Sequence, residues 1–230
     1  MKEQDGLIYV CRLFAILLFA GSALSLRGAE PISEPALINS STSASTLSSS
    51  QTSIWQAGVG EGFRRGTSTL GMSAGAGFGV AVFGGRQEHD LALMSVDYGR
   101  MITGVKGENH WYRGNWEFRG ELFGGAEFAP NTEWVVGLTP HLRYNFATGT
   151  RWVPFLDGGA GVTATGIGRP DLSNTFEFNL QASTGVQWFV KDNCAITLEV
   201  RWLHLSSAGI SSPNLGLNSV MSMVGLSWFF

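Results

Sequence analysis

His204 and Ser206 stand two residues apart, and Asn218 follows on the next run of alternating residues. A hydroxyl becomes a nucleophile when a neighbouring base takes its proton, and the base needs a third group to hold its tautomer. Ser206, His204 and Asn218 have the types for those three roles, with the Asn side-chain oxygen as the orienting acceptor. From Cys194 to Ser206 the chain alternates: Ile196, Leu198, Val200 and Trp202 share the parity of His204 and Ser206, while Thr197, Glu199 and Arg201 take the other. A strand here sets the candidate nucleophile and base on its apolar face. That placement suits an enzyme whose substrate is a lipid. The bland alternative is a His and a Ser at a membrane interface that simply meet headgroups and water.

The elements that must carry these residues are strands. Trp116, Phe118, Gly120, Leu122, Gly124, Ala126 and Phe128 alternate with Glu117, Arg119, Glu121 and Glu127. Only period two separates those two sets. Trp134, Val136, Leu138, Leu142, Tyr144 and Phe146 oppose Thr139, His141, Arg143 and Asn145 in the same way. The pattern returns over 152–166, 176–190, 194–206 and 218–230, and more weakly over about 68–83 and 88–103. Eight strands of this length can each cross a bilayer at a tilt of about 45°. Tight links at 148–150 and 191–193 and longer ones at 167–175 and 208–217 suggest short turns at one end of a barrel and loops at the other.

Alternation alone does not say which face points in. A soluble, lipocalin-like lipid binder would turn Trp116, Trp134 and Trp188 inward. An outer-membrane barrel would turn them to lipid and pack the charged set inside. The strand length and the final Leu226, Ser227, Trp228, Phe229, Phe230, an ending that resembles the terminal signal of outer-membrane barrels, favour the membrane. The expected fold is all-β: an eight-stranded antiparallel up-and-down transmembrane barrel, both termini periplasmic. Eight strands leave room only for side chains, so Glu117, Arg119, Glu121, Glu127, His141, Arg143, Asp157, Glu199 and Arg201 are expected to fill the lumen as a mixed-sign network without a pore. At the usual rise and tilt, His204 then lies roughly 25 Å above Cys194, at the outer edge of the hydrocarbon. Asn218, on the adjacent antiparallel strand and with the parity of Val220 and Val224, converges there facing lipid.

Residues 1–29 have the charged start, apolar core and small residues of a signal peptide, 30–53 form a Ser/Thr-rich leader expected to be disordered, and 54–67 a short extension before the barrel at 68–230. The apolar run is shorter than the roughly 20 residues of a spanning helix. A net charge of -3 gives no basic excess for nucleic acid. Removal of the signal peptide would take Cys11 and leave Cys194 alone, so no intramolecular disulfide is expected. No group has metal-ligand spacing, and His110 beside Trp111 reads as a solvated turn residue. Gly58, Gly60 and Gly62, and likewise Gly75, Gly77 and Gly79, imitate nucleotide-binding glycines, but no helix follows and packing in twisted strands is the better reading. Glu117 and Glu121 share a face as an acid and base pair might, although Arg119, Arg143 and Arg201 share it too and favour a structural network.

The run His204, Leu205, Ser206, Ser207, Ala208, Gly209, followed by Pro213, Asn214, Leu215, Gly216, Leu217, Asn218, resembles the end of the outer-membrane lipid A 3-O-deacylase family, PagL. That family shows His-x-Ser-Asn-Ala-Gly, a Pro-Asn-x-Gly turn and an acidic residue opening the last strand. A looser likeness covers His89, Asp90, Leu91, Ala92 and Leu93, then Tyr98, Gly99 and Arg100, within a strand layout that matches from about 68 to 230. The resemblance implies Ser206 as nucleophile and His204 as general base. It also implies Asn214 with the Ala208 and Gly209 backbone as stabilisers of the oxyanion. The reaction implied is hydrolysis of an ester-linked acyl chain of lipid A in the outer leaflet, with neither metal nor organic cofactor.

Two departures qualify it. The family's Glu is Asn218 here, an amide that can orient His204 but lacks the full charge that steadies an imidazolium. Slower chemistry is expected, or none if the amide turns its nitrogen to His204. The Asn after the nucleophile is Ser207. The rival expectation is a structural or binding barrel that keeps the scaffold. Either form could be a monomer or a homodimer.

Overall fold

The computed structural model describes residues 63–82 and 89–230. The expectations for a signal peptide and leader fall outside the described residues, as do Gly58, Gly60 and Gly62 and most of the extension at 54–67. Eight strands follow in order: β1 Ser68–Gly79, β2 Asp90–Met101, β3 Gly114–Ala129, β4 Trp134–Phe146, β5 Trp152–Thr165, β6 Phe176–Lys191, β7 Cys194–Ser206 and β8 Leu217–Phe229. Each pairs antiparallel with the next, and β1 pairs with β8, so the sheet closes with no free edge. Closure satisfies every ladder within the sheet, which a lipid solvent requires.

Parity decides the faces. Trp116, Trp134, Trp152 and Trp188 point outward, exposed, whereas Glu117, Arg119, Glu121, Arg143 and Arg201 are buried. The reversed, soluble barrel is thereby excluded. The outward surface is banded. Trp116, Tyr144, Phe146, Trp152 and Trp188 ring the end that carries Ser68 and Phe229. Phe78, Phe128, Trp134, Phe176 and Phe178 ring the other. Leu122, Leu138, Leu156 and Leu198 lie between, all exposed. Two aromatic girdles around an aliphatic belt are the surface of a transmembrane barrel.

The filled lumen also differs from expectation in being layered. Its middle is the expected mixed-sign network. Asp157 accepts from Arg119 Nη1 at 2.6 Å and Arg143 Nε at 2.7 Å and lies 2.6 Å from His141 Nδ1. Arg201 makes a bidentate pair with Glu121, 2.8 Å on each arm, and reaches Glu199 at 2.7 Å. The ends, however, are apolar. Phe63 closes the terminal end against Phe189 and Phe229. Leu91, Phe123, Val135, Ile167, Leu172, Leu203, Leu205, Leu217 and Met221 close the loop end. The alternation of short and long links fails at two links: the β2–β3 connection at the terminal end spans 102–113, and β3–β4 at the loop end takes only 130–133.

The glycine reading holds for β1. A Cβ on Gly75 would sit 2.0 Å from the Ser222 carbonyl oxygen, and one on Gly77 2.3 Å from that of Val220. These positions let β1 and β8 approach. His110 is exposed and stacks on Tyr112. Among the described residues no group of His, Cys, Asp and Glu could hold a metal ion.

Candidate active site

β7 and β8 carry the candidate residues to one spot. The register sets His204 directly opposite Asn218, with Leu205 opposite Leu217. Leu203, Leu205 and Leu217 are buried in the loop-end core. Their burial locks the parity of both strands, because a slip of one residue would turn them out to lipid. His204 and Ser206 therefore project from the outer wall, half-buried, two residues apart at the loop end.

His204 Nδ1 lies 2.9 Å from Asn218 Oδ1. The amide is oriented by its other arm, since Asn218 Nδ2 donates to the Val82 carbonyl at 2.9 Å. With the nitrogen so engaged, the oxygen faces the imidazole and accepts from Nδ1–H. Nε2, the nitrogen on the far side of the ring, is left with its lone pair. The orientation expected to abolish chemistry is absent. Asn218 differs from expectation in one respect: it has the lipid-facing parity but is only 3% exposed, because the segment after β1 covers it.

The imidazole is held on two further sides. Trp202 stacks on it, with centroids 5.8 Å apart and planes at 17°. Gly216, at φ +79, presses on its edge, where an added Cβ would lie 2.9 Å from His204 Cε1. Among the described residues the Ser206 hydroxyl makes no hydrogen bond, so the link to His204 is open here. Such contacts often tighten only when substrate binds.

Beyond Ser206 the chain turns sharply. Ala208 has φ +53 and Gly209 φ +83. A left-handed alanine costs roughly 1–2 kcal/mol, and strain of that kind gathers at functional sites. Asn214 Oδ1 accepts from the Ser207 amide at 2.9 Å. This uses the Ser207 N–H and leaves the Asn214 Nδ2 hydrogens without an acceptor among the described residues. The Ala208 and Gly209 amides likewise lack one among the described residues. Ser207 is itself buried, its hydroxyl engaged with Ser211.

A second polar cluster lies behind this loop and was missed from the sequence. His89, singled out only as part of a loose likeness, has Nδ1 2.5 Å from Glu127 Oε1 and Nε2 3.0 Å from Asp171 Oδ2. All three are buried. Contacts between residues 38 and 82 positions apart leave no local spacing to read.

Solved structures resemble this barrel. Neisserial surface protein A (NspA) superposes with a TM-score of 0.52 at 13% identity, covering 71% of this chain and 97% of that one. The outer membrane enzyme PagL gives a TM-score of 0.48 at 19% identity, covering 68% and 97%. The attachment invasion locus protein Ail of Yersinia pestis gives 0.42 at 12%, covering 72% and 99%. No curated protein sequence matches the chain. The sequence model of the family described as lipid A 3-O-deacylase (PagL) matches residues 94–227, a span that holds β3 to β7 whole, most of β2 and β8, and every candidate residue. This chain belongs to the lipid A 3-O-deacylase (PagL) family and is an integral outer-membrane β-barrel.

Proposed function

We propose that the protein is a serine esterase that removes an ester-linked acyl chain from lipid A in the outer leaflet, with Ser206 as nucleophile, His204 as base and Asn218 as orienter. One observation carries the reading: on the lipid-facing wall, the Asn218 oxygen accepts from His204 Nδ1 while Val82 holds the amide's nitrogen. That tautomer leaves Nε2 as the acceptor for a proton. Eight strands put the first and last on the same side of the barrel, and in this reading that side is periplasmic, which sets the loop end and its candidate residues at the outer leaflet.

In this mechanism Ser206 Oγ attacks the ester carbonyl carbon as His204 Nε2 takes its proton. The Ala208 and Gly209 amides and Asn214 Nδ2 donate to the oxyanion, worth about 3–4 kcal/mol per well-placed donor. The tetrahedral intermediate collapses, expelling the sugar alkoxide, which takes the proton from His204. Water, activated by the same base, then releases the fatty acid from Ser206. Asn218 fixes the ring but adds no counter-charge, so turnover is slower than with a carboxylate there.

Mass spectrometry of lipid A from cells expressing the wild type, Ser206→Ala and His204→Ala tests this. The wild type should yield lipid A lighter by one acyl chain, and neither variant should. An unaltered acylation pattern from a folded wild-type barrel would overturn it. The open Ser206–His204 link and the amide at 218 favour a second reading, a barrel that keeps the scaffold for binding or structure. Inactivity of both the wild type and Asn218→Glu would select it.

A further inference from the structure

Asp171 lies in the β5–β6 loop and is buried. Its side chain meets His89 Nε2 at 3.0 Å, and His89 is braced in turn by Glu127. Its backbone carbonyl accepts two amides of the β7–β8 loop, Leu215 N–H at 3.1 Å and Gly216 N–H at 3.2 Å. Gly216 is the residue pressed against His204 Cε1, and Asn214, just before Leu215, grips the Ser207 amide. Ser219, just after Asn218, donates its hydroxyl to the His89 carbonyl at 2.7 Å. A continuous path thus joins Glu127, His89 and Asp171 to both sides of the imidazole pocket.

We infer that Asp171 is a positioning residue: anchored through His89, it clamps the Leu215–Gly216 peptide and so sets the His204 ring against Ser206. A carbonyl in a loop is only as fixed as its loop, and loops are ordinarily the mobile part of a barrel. Here a fully buried carboxylate and imidazole hold it. Burying such groups is costly and weak evidence for stability. Glu127 sits on β3 and His89 just ahead of its partner strand β2, so the cluster is fixed to the sheet at one end, and what it orients at the other is the peptide beside the candidate base. A displacement of the base by about 1 Å can cost about 100-fold in rate.

The inference rests on the proposed esterase reading, and the test separates the two. Purified full-length protein in lipid A-containing bilayers is compared as wild type, Asp171→Ala and Asp171→Asn, with the heat-modifiable gel shift reporting a folded barrel. Asp171→Ala should lower kcat by about 10- to 100-fold with KM within about threefold. Asp171→Asn, whose side-chain oxygen can still accept from His89, should restore kcat to within a few-fold of the wild type. A readout independent of hydrolysis is the ¹H–¹³C signal of the His204 ring, assigned by its loss in His204→Gln. Asp171→Ala should move it, leave that of exposed His110 in place, and Asp171→Asn should return it.

A folded Asp171→Ala barrel with wild-type kcat and an unmoved His204 signal would overturn the inference, as would equal losses in the Ala and Asn variants. If Asp171→Ala does not fold, Asp171→Ser replaces it under the same expectations. Failure of both to fold would make Asp171 a folding determinant and overturn the positioning role. A wild type without hydrolysis whose His204 signal still responds to Asp171→Ala would sink the esterase reading and leave the positioning role standing.

Discussion

Two polar clusters lie on opposite faces of the same strands. On the inner face of β7, Glu199 and Arg201 belong to a network in which Asp157 alone is shared by Arg119, His141 and Arg143, and Arg201 holds Glu121 with both arms. On the outer face, His204 has one side-chain hydrogen bond, to Asn218, and Ser206 has none among the described residues. The inner cluster is redundant and buried, with His141 Nε2 alone of these groups lacking a hydrogen-bond partner among the described residues. The outer one is sparse, with Nε2, the Ser206 hydroxyl and the Ala208 and Gly209 amides uncommitted. Satisfied networks rigidify a core, whereas groups left open at a lipid surface retain the capacity to meet a substrate. The difference separates residues that hold the barrel from residues that the proposed reaction would use.

The sharpest way to break that comparison is to remove one group from each side. Ser206→Ala should abolish deacylation, a loss of at least about 1,000-fold, while leaving the urea midpoint of the folded barrel unchanged. Mass spectrometry of lipid A and urea titration in detergent check the two halves. Arg201→Ala should do the reverse. It leaves Glu121 and Glu199 buried beside an unfilled space, which costs about 3–5 kcal/mol, read as a lowered unfolding midpoint. Any barrel that survives should still remove the acyl chain. If both variants lost both properties, the two faces would not be separable.

A smaller effect probes the seam between them. Gly216 has φ +79 and faces His204 Cε1, so Gly216→Ala introduces both a strained backbone and a methyl 2.9 Å from the ring. The strain costs on the order of 1–2 kcal/mol. The larger consequence is displacement of the base, expected to lower kcat by about 10- to 100-fold with KM little changed. Steady-state kinetics in mixed micelles decides it. An unchanged kcat would mean that the loop wall does not position the ring.

The outer face was far more legible in the sequence than the inner one, for a physical reason. Period two separates lipid-facing from lumen-facing residues wherever one set is uniformly apolar, so the strands, their parity and the pairing of His204 with Asn218 follow from local order. The lumen has no such uniformity. Phe123, Leu203 and Phe189 share parity with charged residues, and their meaning as end layers appears only when distant strands surround them. Phe63 lies before the first strand, where no alternation marks it. The His89, Glu127 and Asp171 cluster was illegible because Asp171 sits in a loop, outside any period. The burial of Asn218 depends on the Val82 carbonyl, a backbone group with no signature in residue type.

The gentlest test sharpens the comparison by making the outer cluster resemble the inner one. Asn218→Glu places a charged acceptor beside His204 Nδ1, the arrangement that the family motif carries. A hydrogen bond to an ionised acceptor is roughly twice as strong as a neutral one, and the charge steadies the imidazolium formed as Ser206 attacks, so kcat should rise by about tenfold. The gain is limited from the other side. Asn218 Nδ2 now donates to the Val82 carbonyl, and a carboxylate would set an acceptor against an acceptor there, so the covering segment must shift and let water in. Stability should therefore fall by on the order of 1 kcal/mol, the net worth of the hydrogen bond lost to the exposed Val82. Rate and urea midpoint measured on the same preparation separate these outcomes. A faster, less stable enzyme supports an orienting amide kept at the expense of charge. A variant no faster than the wild type would show that the base is not limited by its third partner.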